Sequence, residues 1–555
     1  MTNRTTARAA QEARRAVDGL KRLWRRLHPV HRRHWRQEQL HRKIAEERLG
    51  ELARTADRRF SGTVMLDGMF DNANYWMRMA LVRTALGTAH AREVGVTGPY
   101  SADNCRRTFQ RWGVNEVRDF DSAARPEDHT KAREEARRLI AATREADDVL
   151  CWQLPHDYPA PILYDALIKQ QRHGCVQLDD PLLEDRVTEI LLSIAAAWRL
   201  VEEVKPELLM CSHPVGLRYS PLVWLAVRRG ATVLDPFGSF GTLRIARIRR
   251  PEGIYRCWDA PTAADLAALD DERRTRLESL GRDYIQRRTA GQTTDLAAQY
   301  AYGGARQSLT REAICRAFNW DPTKPILGVY TTTWFDYPHY MGMSHFRDLV
   351  EWVEQTAQVA LHTPQYNWLF KRHPLEDWYK SATLAEFLPK TLPPHVRLAQ
   401  DAWNAGDLQR ALDALVTFWG TAGVEAAVQG KPVILPDQGW YHDVGFALWN
   451  RSRKEYLEQL GGPWWERLDP EQTRRKARIF AGVVFGVPEW QGGLIMEDDA
   501  RQTANYPAMP ELLSQNREAL ERELSTIRQW FDSDAECNYH TYKMMQARTY
   551  RLAAS

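Results

Sequence analysis

The chain has 555 residues, 44% of them apolar and 27% charged, with a net charge of +4. That length exceeds one ordinary core and predicts roughly two to four domains of a soluble globular protein. No run approaches the ~20 apolar residues of a membrane-spanning helix, and the Arg-rich start lacks the apolar stretch of a secretory signal.

Residues 1–60 carry 17 Lys/Arg against 7 Asp/Glu, a local charge of +10 that leaves about −6 for the rest. They read as a basic helical arm with Trp24 and Trp35 among the arginines, divided into two helices at Pro29. The arm is either a solvated extension or a contact with an anionic membrane surface or a partner. No recognition motif accompanies the charge, so nucleic acid is not an expected partner.

From Ser61 the pattern changes to alternating strands and helices. GTVMLDG is a strand, MRMALVRTALGTA a helix and REVGVTG a second strand; VNEVRDFD and DDVLCWQL extend the alternation. ILYDALIKQQRHG and TEILLSIAAAWRLVEEVK are helices, ELLMCSHP is a strand ending at His213, and ATVLDPFG is another. Residues 61–252 therefore predict a parallel, doubly wound domain. Residues 253–308 read as a polar helical connector. PTKPILGVYTTTWFD opens a second α/β series over 309–480, with strands ILGVY, NWLFKRHP, HVRLAQ, ALVTF and PVILP. Residues 481–555 read as charged C-terminal helices. The seven cysteines, Cys105, Cys151, Cys175, Cys211, Cys257, Cys315 and Cys537, form no CxxC pair. Neither a disulfide framework nor a zinc site follows, and a reducing cytoplasm is the expected compartment.

The most informative stretch is TFWGTAGVEAAVQGKPVILPDQGWYHDVGF, residues 417–446. Its turn, Gly420-Thr421-Ala422-Gly423, places free backbone N–H groups at a helix start, an arrangement that suits a phosphate. Glu425 follows in the expected first helical turn. Lys371, His373 and Pro374 end one strand, and Thr331 and Thr332 another; both sets suit an anionic donor. In the N-terminal half, Asp67, Asp71 and His213 sit near strand ends and are the candidates to receive an acceptor's proton or act as nucleophile. GxGxxG, P-loop, GxSxG and HExxH motifs are lacking at suitable places, and no acid pair demands a metal.

NWLFKRHP, followed by DALVTFWGTAGVEAAVQGKPVILPDQGWYHDVGFA, resembles the bacterial capsule polysaccharide biosynthesis family, which includes Kdo transferases using CMP-Kdo. More loosely it is similar to bacterial sialyltransferases with an "HP" motif. The resemblance implies a GT-B fold: two Rossmann-like domains facing a cleft, with the donor on the C-terminal one and the acceptor on the N-terminal one. It places His373 and Pro374 near the donor phosphate, and Thr421, Gly423 and Glu425 on phosphate and ribose. Tyr441 and Gly445 fall in a loop that closes the site. The acid-acid-Gly motif of the sialyltransferases is matched only by Leu66-Asp67-Gly68, with one acid missing. The expected function is a metal-independent, cytoplasmic glycosyltransferase at the inner face of the membrane. It would move a sugar from a nucleotide-activated donor to a polysaccharide or glycolipid acceptor, with no resident cofactor. A polyol-phosphate transferase, a nucleotide-sugar epimerase and an inactive GT-B scaffold stand as alternatives.

Overall fold

The computed structural model describes residues 29–99, 102–236, 244–255, 260–293, 296–303, 308–486 and 506–539. Six strands precede the connector: β1 (Thr63–Gly68), β2 (Arg92–Thr97), β3 (Glu116–Asp119), β4 (Leu208–Met210), β5 (Thr232–Asp235) and β6 (Arg244–Ile248). Six follow it: β7 (Ile326–Tyr330), β8 (Asn367–Lys371), β9 (Val396–Leu398), β10 (Ala414–Thr417), β11 (Val433–Leu435) and β12 (Leu448–Trp449). Near the C-terminus lies β13 (Cys537–Tyr539).

These strands form two sheets, ordered β13-β6-β5-β4-β1-β2-β3 and β12-β11-β10-β7-β8-β9. The second sheet is parallel throughout. In each sheet the first strand of its series has its sequence successors on one side and later strands on the other. That reversal, β1 beside β4 and β7 beside β10, is the doubly wound switch point where ligands bind. The central strands β4, β7, β10 and β11 are short, apolar and buried along their whole length, as helix-covered parallel strands must be. Two Rossmann-like domains in one chain make this an α/β protein of GT-B architecture.

Four departures from the sequence reading have physical causes. The first sheet is mixed, because β6 runs antiparallel to β5 and β13 antiparallel to β6. DDVLCWQL is not a strand: Glu145 and Asp148 cap a helical turn over Ala146–Val149. The C-terminal region is not helical alone. Helix Arg517–Phe531 packs on helix Ala73–Leu86 and leads into β13. The Arg247 guanidinium on β6 fixes that junction by donating to the carbonyls of Trp530, Phe531, Ser533 and Ala535.

Fourth, the described part of the basic arm is docked rather than free. Pro29 opens a 26-residue helix to Arg54, as proline does at a first helical position. Ala45, Leu49 and Ala53 on that helix are buried against the first domain. Residues 1–28 lie outside the described residues. Among the described residues, no helix is long and apolar enough to cross a membrane.

The connector is part of the second domain's packing. Helix Asp271–Thr289 runs against helix Pro470–Phe485, backbone to backbone. A Cβ on Gly281 would lie 1.9 Å from the carbonyl of Arg478, and one on Gly482 2.0 Å from that of Leu277. The domains are bridged by the loop after β7, which lies on helix Ala160–Gln171. Tyr164 Oη donates to Asp348 at 2.6 Å, and buried Asp165 accepts from His339 Nδ1 at 2.7 Å and Tyr340 N at 3.0 Å.

Candidate active site

A cavity of about 220 Å³ opens at the carboxyl ends of β7, β8 and β10, at the second sheet's switch point. Thr331–Thr333 continue β7 into it, Lys371–Pro374 end β8 in it, and Gly420–Ala422 follow β10. Thr417 Oγ1 donates to Tyr330 O at 3.0 Å, which aligns the ends of the two switch-point strands. Gly420 caps the helix Thr421–Val428. The first amides of that helix, on Thr421 and Ala422, have no carbonyl partner within it. They meet the cavity together with Lys371, whose ammonium sits 5.4 Å from the Tyr330 ring centre. Tyr330 and Thr332 also line the cavity, and their buried hydroxyls have no hydrogen-bond partner among the described residues.

The structure brings Lys371, His373, Pro374, Thr331, Thr332, Gly420, Thr421 and Glu425 to this one cavity. His373 Nδ1 accepts from the Leu375 amide at 3.3 Å and lies 3.4 Å from Thr333 Oγ1. Arg372 points outward, gripped by Asp377 and Asp401, both at 2.7 Å.

Two of the expected donor residues are scaffold instead. Gly423 gives its amide to Gly420 O at 2.9 Å, and a Cβ there would fall 2.2 Å from the Tyr441 hydroxyl. Tyr441 is fully buried, stacks on Phe446 and donates to Gly420 O at 2.8 Å, so it braces the turn from behind. Its neighbour Trp440 lines the cavity.

Glu425 also departs from expectation. The helix has no acid in its first turn, and Glu425 stands one turn deeper, nearly buried. Its carboxylate accepts from Arg288 Nε at 2.6 Å, from the Tyr302 hydroxyl and from Gln409 Nε2 at 3.3 Å. Burial and the Glu425 charge push the Tyr302 hydroxyl well above its ordinary range. Arg288 and Tyr302 belong to the connector, whose dense arginines masked the one that turns inward.

A second groove of about 390 Å³ continues outward past Lys371, Arg372 and Pro374. The loop Ala399–Trp403 after β9 walls it, and Tyr300 and Trp378, exposed by 43% and 55%, flank it.

The N-terminal candidates separate. Asp71 carries four hydrogen bonds: two from Arg42 (2.6 and 2.9 Å), one from Asn104 (2.9 Å) and one from Trp76 Nε1 (3.0 Å). Burial alone would raise its carboxyl, but Arg42 holds it below the usual range. It anchors the N-terminal helix and has no capacity left for a proton transfer. Asp67 is buried and stitches β1 to the end of β4, accepting from Met69 N (2.8 Å), Ser212 N (2.9 Å) and Ser212 Oγ (2.5 Å). Burial raises its carboxyl despite those bonds. His213, three residues past β4, faces Tyr337 of the second domain at 6.4 Å between ring centres. Burial and the nearby Lys169 charge lower it to about 4, so the imidazole is neutral at pH 7.

No family model matches the chain, and no curated protein matches it. Among solved structures, the chain is similar to KpsC of Thermosulfurimonas dismutans, a beta Kdo 2,4 transferase. Identity is 13% over 56% of this chain and 87% of that one, with a TM-score of 0.27. It is similar to a UDP-GlcNAc 2-epimerase from Neisseria meningitidis at 11% identity, over 82% of this chain and all of that one, TM-score 0.23. The wall teichoic acid polymerase TagF is 10% identical over 89% of this chain and 97% of that one, TM-score 0.23. At such TM-scores these likenesses decide nothing about this chain, whose architecture rests on its own strand orders.

Proposed function

We propose that the chain is a glycosyltransferase moving a sugar from a nucleotide-activated donor to a cell-surface polysaccharide or glycolipid acceptor. The observation that carries this reading is the cavity at the β7/β10 switch point, where a helix start, a lysine and the threonines after β7 converge. The phosphate sits against the Thr421 and Ala422 amides, where the helix dipole and Lys371 offset the charge that grows as the sugar departs. The Glu425 carboxylate, fixed by Arg288, is the acceptor group for ribose hydroxyls. The nucleobase extends into the outer groove between Tyr300 and Trp378. CMP-Kdo is the first donor to try, on the resemblance of residues 367–374 and 413–447. An acceptor at an anionic membrane surface, approached through residues 1–60, completes the reading.

Calorimetry with CMP, UDP, GDP and their sugars tests it. One nucleotide should bind, and Trp378→Ala should weaken it by about 1–3 kcal/mol through lost stacking. Absence of binding by the whole panel would remove the proposal.

A further inference from the structure

The cavity holds two carboxylates, and their situations differ. Glu425 is engaged by Arg288, Tyr302 and Gln409. Asp336, six residues past β7, presents one oxygen to Lys169 Nζ at 3.1 Å, while Oδ2 accepts no hydrogen bond among the described residues. Of the acids near the outer groove, Asp377 and Asp401 are both held by Arg372. Asp336 is therefore the cavity carboxylate with an oxygen to spare.

Its position is built from both domains. Its amide donates to Thr333 O at 3.2 Å, closing the turn that carries it. Lys169 reaches it from helix Ala160–Gln171 of the first domain and rests 4.9 Å from the ring centres of both Phe335 and Tyr337. Tyr337 adopts a left-handed backbone, φ 54°, a costly conformation for a bulky residue and one that collects at functional turns. That backbone turns its ring toward His213 and its hydroxyl toward Gly216. Asp336 thus sits where donor cavity and first domain meet.

We infer that Asp336 is the catalytic base of this cleft, receiving the acceptor hydroxyl's proton on Oδ2. The inference rests on the glycosyltransferase reading above. In the step, the acceptor O–H bond breaks and its proton passes to Asp336. The acceptor oxygen bonds to the anomeric carbon as the bond from that carbon to the phosphate oxygen breaks. The electron pair leaves on the nucleotide phosphate, which the Thr421 and Ala422 amides and Lys371 receive; Asp336 then returns the proton to water. Lys169 is a positioning residue that holds Oδ1 and so aims Oδ2.

The test uses the full chain, nucleotide release from CMP-, UDP- and GDP-sugars with water as acceptor, and calorimetry of the free nucleotides. Asp336→Asn should cut release by about 100-fold or more, the usual contribution of a positioned base, with nucleotide affinity held within about threefold. Lys169→Met should lower kcat with little change in KM, and Lys169→Arg should restore part of it. Asp336→Asn that binds and releases nucleotide as the wild type does would overturn the inference and leave the transferase reading standing. So would a loss of nucleotide affinity matching the loss of turnover, or His213→Asn proving the damaging change instead. A wild-type chain that binds nucleotide but releases none from any sugar also overturns it; one that binds no nucleotide overturns both.

Discussion

Arg288 and Glu425 meet at the floor of the cavity, Nε to Oε1 at 2.6 Å, each side chain only 4% exposed. One comes from the connector and the other from the helix that opens the phosphate site, so the pair ties two segments 137 residues apart. Removing one member of a buried pair strands the other's charge and costs about 3–5 kcal/mol. Arg288→Met should lower the unfolding free energy by that order in denaturant titration. Adding Glu425→Gln should recover part of the loss, because no charge is then left stranded. Additive effects of the two changes would contradict the pairing.

Gly423 and Tyr441 make a second, purely steric prediction. A methyl at Gly423 would lie 2.2 Å from the Tyr441 hydroxyl and 3.0 Å from Cζ. Gly423→Ala should therefore displace the ring and loosen the Gly420 turn that the hydroxyl holds. Tyr441→Phe alone should cost about 1 kcal/mol for the lost hydrogen bond. The double variant should be more stable than Gly423→Ala alone, since the worst contact disappears with the hydroxyl. A double-mutant cycle by thermal unfolding reads this directly, and a cycle without coupling would refute it.

The Asp71–Arg42 contact predicts an acid response at the N-terminus. Asp71 titrates below its unfolded value because Arg42 outweighs the effect of burial. A depressed carboxyl contributes stability above its unfolded value and loses it as pH falls through the folded one. The helix Pro29–Arg54 should thus begin to release below about pH 4. Hydrogen exchange over residues 29–54 should accelerate there first, and Asp71→Asn should show the same exchange at pH 7. Protection unchanged by Asp71→Asn would rule the anchor out.

Glu376 predicts the opposite pH trend. It lies just past the His373–Pro374 turn, buried, accepting from Trp334 Nε1 at 3.0 Å. Burial raises it to about 7, against hydrogen bonds that pull it down. A raised carboxyl stabilises below its unfolded value and loses that contribution as pH rises through the folded one. Stability should decline between about pH 4.5 and 7 on this account, by up to about 3 kcal/mol. Glu376→Gln should flatten the decline, leaving the variant relatively more stable at pH 8 than at pH 5. Parallel pH profiles for the two proteins would exclude the effect.

The sheets were legible because parallel strands buried on both faces spell themselves as apolar runs, ILGVY and PVILP among them. β6 was hidden because Arg244 and Arg247 interrupt its apolar run, and β13 because three residues carry no period. In the site, Thr331, Lys371 and Gly420 could be read from their place at strand ends. Asp336 could not, since nothing local distinguishes a loop acid that lines a cavity from one that does not. Arg288 was lost among the other arginines of its helix. Asp71 misled because an acid after a first strand looks the same whether it faces a substrate or an arginine on a docked helix. Contacts such as Arg42 with Asp71 and Lys169 with Asp336 join distant segments, and side-chain pairing across such distances has no local signature.

β13 gives the molecule an order of assembly. Among the described residues, the first sheet's β6 edge is paired by residues 537–539, which are synthesised after the whole second domain. During translation that edge therefore stands open while the second domain folds, an exposed row of backbone donors and acceptors able to pair with another chain. The first sheet begins early in the chain, yet its β13–β6 pairing can form only once residues 537–539 have been made. The strand that seals it also returns the chain to the first domain, so the two halves of the cleft are joined by covalent crossings in both directions.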